Sequence, residues 1–264
     1  MLDARSWALA DVKRKVMVKH NWQVHQLRAT VFPAERMDPT QPSALWEQLC
    51  GVSPDTDQLV RSQELRRQVG PYGDGGILEM RLQPLRIDWQ LSAQIQPGSG
   101  LPNIGRYETA IPAFANKVRK WLDESALTFV RLAFAPHLIM PVATREDGYA
   151  QIMDLVPSLN LETDSEVSDL LFQINHPRQS KVVVDRCLNC VQKWAVAALQ
   201  GFELAAGGDP GMRPISVEHF CQLELDVNTT PATPPKPLDS DKVPSIFDEI
   251  VSVADKIAAR GERA

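Results

Sequence analysis

The chain has 264 residues, 44% hydrophobic and 23% charged, with a formal charge of −5. Those figures describe an ordinary globular protein, long enough to bury a substantial core as one large domain or two closely packed ones. They exclude a global electrostatic case for nucleic acid, and no stretch approaches the ~18 apolar residues that a membrane-spanning helix needs.

The opening MLDARSWALADVKRK lacks an apolar segment preceded by basic residues. No signal peptide is read there, and a reducing, cytoplasmic location without membrane association is expected. Lys13, Arg14, Lys15, Lys19 and His20 form a local basic segment. Its first reading is the solvated face of a helix over residues 11–20; nucleic-acid binding is the weaker one.

WQVHQLRATVF (22–32) alternates, with Leu27, Ala29 and Val31 on one side and Gln26, Arg28 and Thr30 on the other. That pattern predicts a half-buried strand ended by Pro33. SALWEQLCG (43–51) predicts a short helix between an N-cap Ser43 and a closing Gly51. Residues 52–76 are polar and end in GPYGDGG, which reads as a mobile loop. GILEMRL and LRIDWQLSA then predict a hairpin turning at Gln83-Pro84, with Arg81, Arg86, Asp88 and Gln90 on its wet face.

QPGSGLPNIG (96–105) precedes a helix but fails both phosphate-loop patterns: position 103 is Asn, and no Gly-Lys-Ser/Thr ending follows. Tyr107, Ile111, Phe114, Val118, Trp121 and Leu122 recur at helical steps over 106–123. LTFVRLAFAPHLIMPV (127–142) is β-prone, with interruptions expected at Pro136 and Pro141. A short helix follows at 147–155 and a strand at 166–175, with KVVVD read as its partner across HPRQS. Residues 186–204 read as a helix. FCQLELDVN (220–228) alternates as a strand. Residues 229–244 hold five prolines and read as a linker. The last helix starts near Pro244, carries Ile246, Ile250, Val253 and Ile257, closes at Gly261, and should dock.

The fold class is therefore α+β, with mainly antiparallel sheet and packed helices. The order strand, helix, hairpin, long helix over 22–122 recurs across 128–204, which suggests an internal duplication of a β-α-β-β-α unit. The halves divide as 1–124 and 125–264, sharing one sheet or packing two face to face.

Chemistry-bearing motifs are sparse. Cys187 and Cys190 form a CxxC whose positions, on a helix, share a face; two small buried thiols suffice to explain them. Cys50 and Cys221 supply no second pair, so no metal site is read. There is no G-x-S-x-G elbow, and the five histidines are scattered. The informative cluster is Asn175, His176 and Arg178, where a strand exits into a turn stiffened by Pro177. Asp226 and Asn228 join it if strand 220–228 pairs with strand 166–175; Arg178 could then simply bridge to Asp226. These five are the candidate partner- or ligand-binding residues. No catalytic residue and no cofactor are assigned. The expected function is non-catalytic binding of another protein through the sheet. An enzyme with an unrecognised site near His176 and Arg178 is the alternative, and nucleic acid through the basic segment the third.

One resemblance adds to this. LRIDWQLSA followed by IGRYETAIPAFANKVRKWL, then VRLAFAPHLIMPV, and finally LELDVNT before a Pro-rich gap and IFDEIVSVADKIAARGE form an arrangement. It resembles a sporadically distributed family of uncharacterised bacterial proteins of similar length. The resemblance covers most of the chain without a diagnostic motif. It implies an α+β fold and a bacterial origin, and transfers no catalytic residue. The patchy distribution of such proteins suggests toxin–antitoxin or antiphage defence regions.

Overall fold

Alternation with a period of two is the commonest pattern in the computed structural model, which describes residues 20–41, 44–73, 75–94, 100–161, 167–204, 212–262 and 264. The elements in chain order are β1 (Gln23–Pro33), α1 (Leu45–Cys50), β2 (Thr56–Val60), β3 (Leu65–Tyr72), β4 (Gly76–Gln83), β5 (Arg86–Ala93) and α2 (Tyr107–Glu124). They continue as β6 (Phe129–Val142), α3 (Arg145–Leu155), β7 (Leu170–Asn175), β8 (Arg178–Gln179), β9 (Cys187–Leu204), β10 (Met212–Thr229) and α4 (Val243–Arg260). The strands form one antiparallel ten-stranded sheet, ordered β2-β3-β4-β5-β1-β6-β10-β9-β7, with β8 paired to β9. The α+β class expected from the sequence is what the chain adopts.

The strand order contains a repeat. Outward from the β1–β6 pair, one side runs β5, β4, β3, β2 and the other β10, β9, β7. Each unit begins with a central strand, crosses a helix, returns through a meander, and closes with an 18-residue helix, α2 or α4. The second unit therefore ends at α4, not within 186–204 as the sequence order suggests. The two units meet in one sheet, joined by the short Ser125–Thr128 connection.

All four described helices cover one face of the sheet. The buried side includes Leu27, Ala29 and Val31 of β1, Met80 of β4, Trp89 of β5, Phe134 of β6, Trp194 of β9 and Leu223 of β10. Onto it α2 brings Phe114, Val118 and Trp121, and α4 brings Ile246, Phe247, Ile250 and Ile257. Rings at Trp46, Trp89, Trp121 and Phe129 follow one another at centroid distances of 6.2, 5.5 and 6.1 Å. Each fully buried ring or aliphatic side chain contributes ~1.5–3 kcal/mol by leaving water, so this face carries most of the fold's stability. α4 docks as its stripe requires. Pro244 stands in its first turn, and Gly261 closes it at φ +77°, where a Cβ would lie 1.8 Å from the Leu155 carbonyl oxygen.

Several expectations are corrected. Residues 187–204 are strand β9, not helix. Leu188, Cys190, Gln192 and Trp194 are buried at every second position, and pairing on both sides decides the conformation. Residues 56–60 and 65–72 are the β2–β3 edge hairpin, not a loop. β6 runs through Pro136 and Pro141 without a break. Pro136 has no N–H to give, and the ladder to β10 shows no pair between His137 and Phe134, while pairing to β1 continues through it. KVVVD does not pair with β7; β9 does. The Pro-rich segment after β10 is tied down where Leu238 is buried and its N–H donates to the Phe129 carbonyl at 2.7 Å. The helix expected over 11–20, most of the basic segment, and Ser43 lie outside the described residues.

Candidate functional site

The face of the sheet opposite the helices carries most of the strands' polar residues, with Val69, Val191, Ile139 and Phe220 among them, and no described helix packs on it. On the first unit it is an arginine–carboxylate lattice. Glu79 of β4 accepts from Arg67 (Nε 2.6 Å, Nη2 3.0 Å) and from Arg81 Nε (2.6 Å). Burial raises the Glu79 pKa, but these donors outweigh it and hold the carboxyl below its ordinary value. Asp88 of β5 accepts from Arg86 at 2.8 and 2.9 Å and from the Thr30 hydroxyl at 2.5 Å. Both carboxylates are buried under the arginine stems, as charged groups can be when their oxygens are satisfied. Phe32 at the end of β1 has the Arg131 guanidinium 5.0 Å and the Arg86 guanidinium 6.0 Å from its ring centroid.

On the second unit the same face carries amides. Asn175 Nδ2 reaches Asn189 Oδ1 at 3.4 Å, and Asn189 Nδ2 donates to Asn228 Oδ1 at 3.2 Å. Asn228 Oδ1 also accepts from Arg131 Nη2 at 2.8 Å, while its Nδ2 donates to Asp226 Oδ1 at 2.7 Å. This row crosses β7, β9, β10 and β6 and joins the lattice through Arg131. The strip of β6 between the two networks presents only Ala133 and Ala135, opposite Thr30 and Arg28 of β1. At its far end His25 and His137 meet edge to face at 4.8 Å, and Gln222 Nε2 lies 3.2 Å from His137 Nε2. Burial, then the neighbouring His25, lowers the His137 pKa to about 4, against an opposing pull from Glu224.

Of the five residues singled out in the sequence, the structure brings together Asn175, Asp226 and Asn228. Asn189 is the bridge between them, because β9 lies between β7 and β10. His176 and Arg178 do not join that row. The His176 N–H donates to the Cys190 carbonyl at 3.2 Å, and Arg178 sits close enough to the Cys190 thiol to oppose the rise that burial causes in its pKa. No ion pair between Arg178 and Asp226 is present among the described residues. Sequence reading missed Asn189, Arg28 and Arg131. Asn189 falls in the segment read as helix, and the arginines acquire meaning only through cross-strand register.

The cysteines behave as packing groups. Three residues apart on a strand, Cys187 and Cys190 point to opposite faces. Burial pushes the Cys221 thiol up to about 12, where it faces the Gly148 carbonyl. Among the described residues no three His, Cys, Asp or Glu side chains are grouped as metal ligands, and no described helix is long and apolar enough to cross a membrane. On the helix side, a groove of about 550 Å³ between α2 and α4 is lined by Trp22, Tyr107, Ile111 and Asp255. Burial, then Asp255, raises the Tyr107 phenol pKa, so it stays neutral and supplies no base. No family model, curated protein or solved structure matches the chain.

Proposed function

We propose that the protein is a non-catalytic protein-binding component that receives its partner on the sheet face opposite the described helices. The observation that carries this reading is the size and order of that face. Nine strands in sequence at ~4.8 Å spacing and about six residues of height give roughly 40 by 20 Å, or about 800 Å². That is what one partner contributes to a stable interface of standard size. Its polarity is no obstacle, since bulk hydrophobicity does not distinguish such interfaces. Most of its polar side chains hold one another, so for those little rotamer entropy remains to be lost on binding. Placement in a toxin–antitoxin or antiphage defence assembly is supported by the resemblance alone.

The test is affinity isolation of the full chain from its native host, comparing wild type with Ala135→Trp, which plants a bulky ring in the middle of the face. Recovery of a stoichiometric partner by wild type and its loss with Ala135→Trp is the expected result. No stoichiometric partner, or one indifferent to the substitution, overturns the reading.

A further inference from the structure

The open face is not electrostatically even. Its first-unit side and seam carry Arg28, Arg67, Arg81, Arg86 and Arg131 against Glu79, Asp88 and Asp226, a local excess of cations on a chain whose total charge is −5. Arg67 and Arg86 are each locked onto a carboxylate in two-pronged pairs with Glu79 and Asp88. Three other guanidiniums are not locked in such a pair. Arg81 spends only Nε on Glu79. Arg131 spends Nη2 on Asn228, and its Nε is buried with no partner. Arg28 makes no hydrogen bond or ion pair among the described residues, and its Nε is likewise buried and unpartnered. Those two Nε atoms are shut off from the surface, so an arriving acceptor would meet the terminal Nη groups of Arg28, Arg81 and Arg131.

Their register sets the shape of what fits. Arg28 stands opposite Ala135, four residues along β6 from Arg131. Arg81 stands opposite Asp88, which itself faces Thr30, two residues from Arg28. At ~3.3 Å per residue and ~4.8 Å per strand, the three Cα atoms lie about 12–16 Å apart. No single small anion spans that distance. An extended chain does, because residues four apart on its one side lie ~13 Å apart. Between them β6 presents only the small side chains of Ala133, which is buried, and Ala135, which is partly exposed.

We propose that this face binds an extended acidic segment of a partner protein, its Asp and Glu carboxylates received by Arg28, Arg81 and Arg131; this rests on the protein-binding reading above and names the partner's chemistry. A polynucleotide fits less well. The one aromatic ring among these arginines, Phe32, already lies against Arg131 and Arg86, so it offers no free stacking platform.

The experiment uses the full-length chain and three fluorescent probes: a peptide of about ten residues with Glu at alternate positions, the same peptide with Gln, and a single-stranded oligonucleotide of matched length. Binding is read by anisotropy on wild type, Arg28→Gln/Arg131→Gln, and the charge-retaining Arg28→Lys/Arg131→Lys. Thermal unfolding checks that each variant is folded. The expected result is salt-sensitive binding of the Glu peptide alone, weakened about tenfold or more by the Gln pair and less by the Lys pair, since an ammonium keeps charge but not the two-pronged geometry. Equal binding of the two peptides, indifference to the Gln pair, or preference for the oligonucleotide overturns the proposal. If those results accompany a native partner that Ala135→Trp still displaces, only the acidic chemistry is wrong. If Ala135→Trp displaces nothing, the interface itself is.

Discussion

The two faces of the sheet are built from the same strands and obey opposite rules. On the helix side, rings and aliphatic chains interlock, and nearly all their value comes from exclusion of water. On the open side, Glu79, Asp88 and Asn228 are also withdrawn from solvent, yet each is held by directed bonds from arginines that stay partly exposed. The first face specifies the fold. The second is organised beyond what a merely solvated surface requires, since exposed charges need no such lattice to stay soluble. The same strands thus build an apolar core at one parity and a hydrogen-bonded polar lattice at the other.

Substitutions can break this contrast, beginning with the largest effect. Trp89→Ala removes a fully buried ring flanked by Trp46 and Trp121, and should cost ~3–5 kcal/mol in denaturant unfolding. A loss below about 1 kcal/mol would mean the helix-covered face is not the core. Asn228→Ala, on the open face, leaves Arg131, Asn189 and Asp226 each short of a partner and should cost ~1–3 kcal/mol. A neutral result would reduce the amide row to a surface coincidence.

The smallest effect is a slope in pH. His137 is neutral in the fold until about pH 4 but protonates near 6.5 when unfolded. The unfolded chain therefore binds more protons between those values, and stability should fall as pH drops from 6.5 towards 4, by about 1–2 kcal/mol after discounting for solvent screening. His20, whose pKa burial also lowers, adds to the same window. Comparison of wild type with His137→Gln in chemical denaturation at pH 7 and 5 isolates the His137 part; identical slopes would place that imidazole in ordinary solvent.

How much of this was legible in the sequence follows from where the deciding contacts lie. β4–β5, α2 and α4 are visible because their apolar spacing, turns and end residues are local: Leu78, Met80 and Leu82 against Ile87, Trp89 and Leu91, or Ile246 to Ile257 before Gly261. β9 is not. Its Ala, Leu, Gln and Lys content suits a helix, and what overrides that preference is pairing with β10 on one side and β7 on the other, segments distant enough that no window sees them. The site divides in the same way. Asn175, Asp226 and Asn228 were legible as outward polar positions on strands. The expected link to His176 and Arg178 failed because it assumed that β7 and β10 were neighbours. Arg28, Arg81 and Arg131 look like unremarkable wet positions until register places them around two alanines.

The repeat has a consequence for the handling of the chain. The first strand of each unit, β1 and β6, meets the other antiparallel at the centre of the sheet, with only the Ser125–Thr128 connection linking the units in sequence. A solitary unit of this kind would leave that strand as a raw edge, and two identical copies would heal it by docking head against head. Severing the backbone between α2 and β6 should accordingly yield two pieces that find each other again, rather than two that survive apart.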